Sequence, residues 1–113
     1  MNVCLIGSGI STLILANILA SRNINISIYE ESLIKKKLIT RTLGISQNNF
    51  NYLLKEKINI KTKSWIINKI KIFNEIEKNK EILNFGNKMD KIFYIIKYTD
   101  LINLLYKSIK KNK

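Results

Sequence analysis

Val3-Cys4-Leu5-Ile6-Gly7-Ser8-Gly9 opens a stretch that continues as an uncharged segment to about Ser21 and closes on Ile24-Asn25-Ile26-Ser27-Ile28-Tyr29-Glu30. The apolar run stops abruptly at the two glycines, the segment from about Ile10 reads as helical, and apolar and polar residues alternate from Ile24 until Glu30. Strand, glycine turn, helix and strand in that order form the first βαβ unit of a dinucleotide-binding fold.

Each residue type has a physical reason for its place. Gly7 lets the chain leave the strand through a turn that a Cβ would crowd, and Gly9 lets backbone approach a pyrophosphate closely. Free N–H groups at the start of a helix near Ile10 face phosphates, with the positive end of the helix dipole behind them. Glu30 stands where a carboxylate can accept hydrogen bonds from both hydroxyls of an adenosine ribose. A carboxylate there repels a 2′-phosphate, so it favours FAD or NAD over NADP. Thr12 occupies the place of the third glycine of Gly-x-Gly-x-x-Gly, which normally allows close packing of helix on sheet. A slightly displaced helix is the expectation. Gly7, Ser8, Gly9, Ile10, Thr12 and Glu30 are thus the candidate cofactor-binding residues of the unit.

A chain of 113 residues that is 46% hydrophobic can bury the core of about one small domain, and it is too short for a whole FAD or NAD enzyme. The net charge of +12 raises the question of nucleic acid. Arginine occurs only at Arg22 and Arg41, the lysines are scattered, and Ile, Asn and Lys dominate while Pro and His are absent. Such a skew is what an AT-rich coding sequence gives, and arginine with interleaved aromatics, which recognition usually requires, is missing; no nucleic-acid partner is expected. Cys4 is the single cysteine, so no internal disulfide and no Cys/His metal site can form. Inside the first strand it is expected as a buried thiol. Without histidine the usual general base is also missing.

The uncharged run at residues 3–21 admits a rival reading as a signal peptide or membrane anchor of a small basic protein without cofactor. No positive residue precedes it, Gly7-Ser8-Gly9 breaks it early, Asn17 lies in its second half, and an alternating strand follows at once. These features favour the nucleotide fold. A nucleotide-binding domain of an NAD-linked oxidoreductase remains open, since Glu30 permits it.

Beyond Glu30, residues 31–39 read as a polar, lysine-rich loop, with Lys35, Lys36 and Lys37 a solvated charge run. Residues 40–46 lead into a helix with Phe50, Leu53, Leu54 and Ile58 on one face, capped by Ser46 or Asn48. Residues 65–73 read as one strand, followed by a turn around Asn79, a short strand at 82–85 ended by Gly86-Asn87, and another strand at 92–98. Thr99 is expected to cap a helix over 100–110, with Leu101, Leu104, Leu105 and Ile109 as its apolar stripe and a lysine-rich end that suits a helix carboxyl terminus. The order βαβ, helix, three strands, helix predicts an α/β fold: an incomplete Rossmann-like βαβ unit with an inserted small antiparallel sheet.

Gly7-Ser8-Gly9 with Glu30, and Arg41-Thr42-Leu43-Gly44-Ile45-Ser46 before the Phe50 helix, resemble the FAD-dependent aromatic-ring hydroxylases. The likeness is strongest to the ubiquinone-biosynthesis branch, which modifies a polyprenylated phenol. Trp65 through Phe73, Ile82-Leu83-Asn84-Phe85 and Phe93-Tyr94-Ile95-Ile96 before Thr99-Asp100-Leu101 are similar to the strands that precede the next long helix there. The resemblance implies FAD as cofactor and an aromatic monooxygenase reaction. It also implies that Arg41 lies against the flavin cofactor, holding its diphosphate and ribityl part, where a guanidinium offers forked donors. It implies peripheral contact of a cytoplasmic protein with the inner membrane face. The Asp-Gly and Gly-Asp segments of such enzymes do not occur in this sequence. The expectation is therefore a partial FAD-binding domain over residues 1–113, an N-terminal fragment without the substrate domain and inactive alone.

Overall fold

A computed structural model describes residues 1–30, 41–77, 80–87 and 90–111. The expected loop at 31–39 and the turn at Asn79 lie outside the described residues.

The chain starts as read. Strand β1 (Asn2–Ile6), helix α1 (Ile10–Ala20) and strand β2 (Asn25–Tyr29) form a βαβ unit in which β1 and β2 pair in parallel, Asn2 opposite Asn25 and Ile6 opposite Tyr29. Val3 and Leu5 of β1 and Ile26 and Ile28 of β2 are half-buried, while the residues between them are exposed. Helix α1 leaves through Asn23 at φ 58, a conformation asparagine tolerates, and Ile24 N–H returns to Leu19 O at 3.2 Å to start β2.

The rest of the chain extends this unit. Strand β3 (Thr42–Ser46) runs into helix α2 (Gln47–Lys55), and Ser46 caps that helix by accepting from Asn49 N–H at 3.2 Å. A single 3-10 turn (Lys61–Lys63) precedes β4 (Ser64–Ile67). Strands β5 (Ile70–Asn74) and β6 (Lys80–Phe85) form a hairpin, and β7 (Phe93–Lys97) runs directly into helix α3 (Tyr98–Lys111). The antiparallel order β3-β7-β4 makes a second sheet, and β5-β6 a third. An α/β fold with an antiparallel insertion is therefore what the chain adopts, with two small antiparallel sheets in place of one.

Three expectations are corrected. Residues 65–73 are two strands in different sheets, because the chain breaks at Asn68-Lys69, where Ile67 O instead accepts from Ile92 N–H at 2.9 Å. Thr99 does not cap α3; the helix begins at Tyr98, two residues before the expected start at Asp100, and Tyr98 N–H is already satisfied by Arg41 O at 3.0 Å. Cys4 is exposed, because only one face of the β1-β2 sheet carries α1.

The core sits between α1, the β3-β7-β4 sheet, α2 and α3. Leu13, Ile45, Phe50, Leu53, Ile96, Leu101 and Leu105 are buried together, and Phe50 stacks on Tyr94 with ring centroids 3.6 Å apart. Leu104 and Ile109 complete the stripe of α3 as partly buried neighbours. Asn17 ties the two long helices: its Nδ2 donates to Leu13 O at 2.8 Å and to Leu105 O at 3.1 Å. A polar side chain bonded in this way fixes which faces of α1 and α3 meet, since a shifted pairing would leave the amide buried and unpaired. Helix α1 is 11 residues long, and among the described residues no helix is long and apolar enough to cross a membrane.

The β5-β6 hairpin lies largely outside this core, with every residue of β6 exposed. The Cα radius of gyration, 17.8 Å, exceeds the ~13 Å of a compact chain of this length. Two local devices hold the hairpin. Gly86 has φ +80, and a Cβ there would collide with the Asn68 carbonyl oxygen and the Ile92 side chain. Gly86→Ala should lower the unfolding free energy by ~2 kcal/mol, seen as a lower denaturant midpoint at unchanged slope; an unmoved midpoint would contradict the fit. Glu81 accepts from Lys71 Nζ across the hairpin at 2.7 Å and from Asn84 Nδ2 of its own strand at 2.9 Å, and these hydrogen bonds hold its carboxyl below the ordinary value of 4.5. Because the folded value is the lower one, this contribution is present above 4.5 and is lost as pH falls through the folded value. Lys71→Gln should move the Glu81 midpoint upward in a carbon-13 carboxyl titration.

Candidate dinucleotide-binding site

The parallel ladder decides where the candidate residues stand. Gly7 N–H donates to Tyr29 O at 2.7 Å, which carries the pairing of β1 and β2 one residue into the turn. Glu30, the next residue, is thereby held beside Gly7-Ser8-Gly9, and Ser8 Oγ donates to Glu30 Oε1. Gly7 has φ +91, a conformation that a side chain would strain, and this rather than the expected crowding calls for glycine, since a Cβ there meets nothing within 4 Å.

Gly9 serves as the N-cap of α1 with extended backbone, φ −67 and ψ 168, and no side chain caps the helix. The first bond into the helix runs from Leu13 N–H to Gly9 O at 3.0 Å. The N–H groups of Ile10, Ser11 and Thr12 precede it and have no intrahelical acceptor. No acidic residue lies in the first turn to compete for them. A Cβ built on Gly7 or on Gly9 meets nothing within 4 Å, so the space over the turn is open. Donors aimed into open space, a missing Cβ beside them and a carboxylate one residue past the neighbouring strand suit a nucleoside diphosphate: phosphate on the amides, ribose on Glu30. Thr12 is half-buried in this first turn.

Arg41 is positioned by different elements. It precedes β3, its carbonyl accepts from Tyr98 N–H, and its guanidinium carbon lies 4.3 Å from the centroid of the Tyr98 ring. Among the described residues no hydrogen bond or ion pair joins it to the glycine turn. The site residues of the βαβ unit stand together, and Arg41 stands on the second sheet.

Two features escape a reading of the sequence. Tyr98 sits at the junction of β7 and α3, where only the tertiary contact with Arg41 marks it. On the face of the β1-β2 sheet away from α1, Cys4, Ile6, Tyr29 and Glu30 line an open depression of about 600 Å³, with Ile6 86% and Tyr29 62% exposed. Alternation in β1 and β2 hints at two unlike faces, but nothing local says that the second is bare.

No protein-family model matches the sequence, and no curated protein does. Solved structures do match. One is 2,6-dihydroxypyridine-3-hydroxylase from Arthrobacter nicotinovorans, 15% identical with a TM-score of 0.72 over 94% of this chain and 26% of that one. Another is the p-nitrophenol 4-monooxygenase PnpA from Pseudomonas putida DLL-E4, 13% identical with a TM-score of 0.75 over 96% and 29%. A third is a candidate FAD-containing monooxygenase from Photorhabdus luminescens, 22% identical with a TM-score of 0.74 over 99% and 29%. The chain has the fold of part of an FAD-binding monooxygenase. It spans 26% to 29% of the length of these three structures.

Ligand and fold can be separated at Gly9, whose φ any residue adopts and whose Cβ would touch no protein atom. Gly9→Ala should change stability by less than ~1 kcal/mol in chemical denaturation. The same substitution should abolish the shifts that inorganic pyrophosphate produces in the Ile10, Ser11 and Thr12 amide resonances. Retained shifts would show that nothing needs the space over Gly9.

Proposed function

We propose that this chain carries the FAD-binding segment of a flavoprotein monooxygenase that hydroxylates an aromatic ring, and that the ring belongs to a polyprenylated phenol of ubiquinone biosynthesis. The observation that carries the cofactor assignment is Glu30 hydrogen-bonded to Ser8 beside uncapped amides at the start of α1. The fold shared with monooxygenase structures supports the reaction class. The choice of a polyprenylated phenol rests on the likeness of the Arg41 to Ser46 segment and the later strands to the ubiquinone branch.

Bound FAD, once reduced by NAD(P)H or another donor, supplies the oxygen chemistry. The residues of this chain bind and orient it. The Ile10, Ser11 and Thr12 amides take the diphosphate, Gly7 and Gly9 let it approach, Glu30 takes the ribose hydroxyls, and Arg41 adds a forked cation toward the diphosphate and ribityl part. A cytoplasmic protein with peripheral contact at the inner membrane face suits a lipid-tailed substrate, and the lysine excess favours anionic headgroups.

Titrating the nitrogen-15-labelled chain with FAD, NAD and NADP tests the assignment. FAD should shift the amides of residues 7–12, and NADP should shift them far less because its 2′-phosphate meets the Glu30 carboxylate. Glu30→Ala should weaken FAD by about ten-fold, the scale of one or two charge-assisted hydrogen bonds. Equal responses to NADP and FAD would remove Glu30 from the ribose, and a response to NAD larger than to FAD would make the unit an NAD site.

A further inference from the structure

We propose that Tyr98 is a positioning residue: its ring holds the Arg41 guanidinium flat and leaves the edge donors free for the diphosphate of bound FAD. This rests on the flavin-binding reading above and adds a residue to it.

The chain has two arginines among 20 basic residues, and they are used differently. Arg22 turns its guanidinium on Glu56, Nη2 to Oε2 at 3.5 Å. Arg41 has no carboxylate partner among the described residues; its guanidinium lies over the Tyr98 ring, with Cζ 4.3 Å from the centroid. That distance is within cation–π range. A guanidinium laid face-on to a ring keeps its N–H donors along the edge, in a fork that fits two oxygens of a phosphate.

Two ties keep ring and cation together. Tyr98 N–H donates to Arg41 O at 3.0 Å, so the two backbones are joined directly. Tyr98 is also half-buried at the first residue of α3, a helix fixed in turn by buried Leu101 and Leu105. The guanidinium is therefore ordered before any anion arrives, which lowers the entropy lost on binding. A lysine at position 41 could supply charge but neither the fork nor the flat stacking face.

The test follows FAD binding by flavin fluorescence anisotropy, together with the Arg41 Nε–Hε resonance on addition of FAD and of inorganic pyrophosphate. Tyr98→Leu should weaken FAD roughly two- to five-fold, the range of an exposed cation–π contact, while Tyr98→Phe binds as the parent does. Arg41→Lys should weaken FAD at least as much, and adding Tyr98→Leu to it should cost little more. If Tyr98→Leu fails to fold by its thermal midpoint, Tyr98→Trp carries the test, since its stronger π face should bind FAD at least as tightly as the parent. Parent-like affinity of a folded Tyr98→Leu variant, equal losses in Tyr98→Phe and Tyr98→Leu, or an additive double variant overturns the proposal and leaves the flavin reading standing. Absence of FAD binding with the Arg41 resonance still shifted by pyrophosphate overturns the flavin reading alone, because the anion-holding pair is then intact.

Discussion

The hydrogen bond from Gly7 N–H to Tyr29 O is the constraint on which the site depends. Parallel pairing of β1 and β2 brings two strand ends to the same level, but a strand end is followed by a turn that can go anywhere. By extending the ladder one residue past Ile6, this bond sets the glycine turn and Glu30 side by side, close enough for Ser8 Oγ to reach the carboxylate. The left-handed Gly7 then sends the chain back over the sheet as α1. Sequence, local conformation and the geometry of the candidate site meet at one peptide group.

The placement of α1 comes from a different source. It packs on β2 and on α3, with Leu13, Ala16, Asn17 and Ile18 buried. Asn17 reaches across to Leu105 O, so the helix that carries the uncapped amides at its amino end is anchored at mid-length to the last helix of the described chain. Because α3 also carries Tyr98, the same helix holds both the α1 scaffold and the Arg41 guanidinium. That gives a physical route by which the two halves of the proposed diphosphate grip are kept in one frame.

What the sequence made legible was local. The glycine turn, α1, β2 and the Ser46 cap are specified within a few residues of themselves, by a positive φ that glycine allows, by alternation and by a hydroxyl at a helix start. What it hid depends on distant partners. Strand β3 was masked by Gly44 in the middle of Thr42-Leu43-Gly44-Ile45-Ser46, and it exists because β7 pairs with it from about fifty residues away. The break between β4 and β5 is decided by Ile92, and the start of α3 by Arg41. Cys4 sits in an apolar run, and only the count of layers over the β1-β2 sheet reveals its exposure. Among the candidate site residues the same division holds: those of the βαβ unit are read from spacing, whereas the partner of Arg41 is found only in three dimensions.

A turn built solely for folding would use its polar groups on itself. The Ser46 cap of α2 does so, spending its hydroxyl on the Asn49 amide. At α1 the polar groups are left over: no cap takes the first-turn amides, and no acidic side chain lies there to complement the helix dipole. Ser8, which could have capped the helix, instead donates to Glu30, and a Cβ on Gly9 would touch no protein atom. With glycine at the N-cap, the missing side-chain cap costs only about a few tenths of a kcal/mol in helix stability. Amides left free at a helix start with a hydroxyl one residue away can take an acceptor from outside the chain, and the charge they favour is negative.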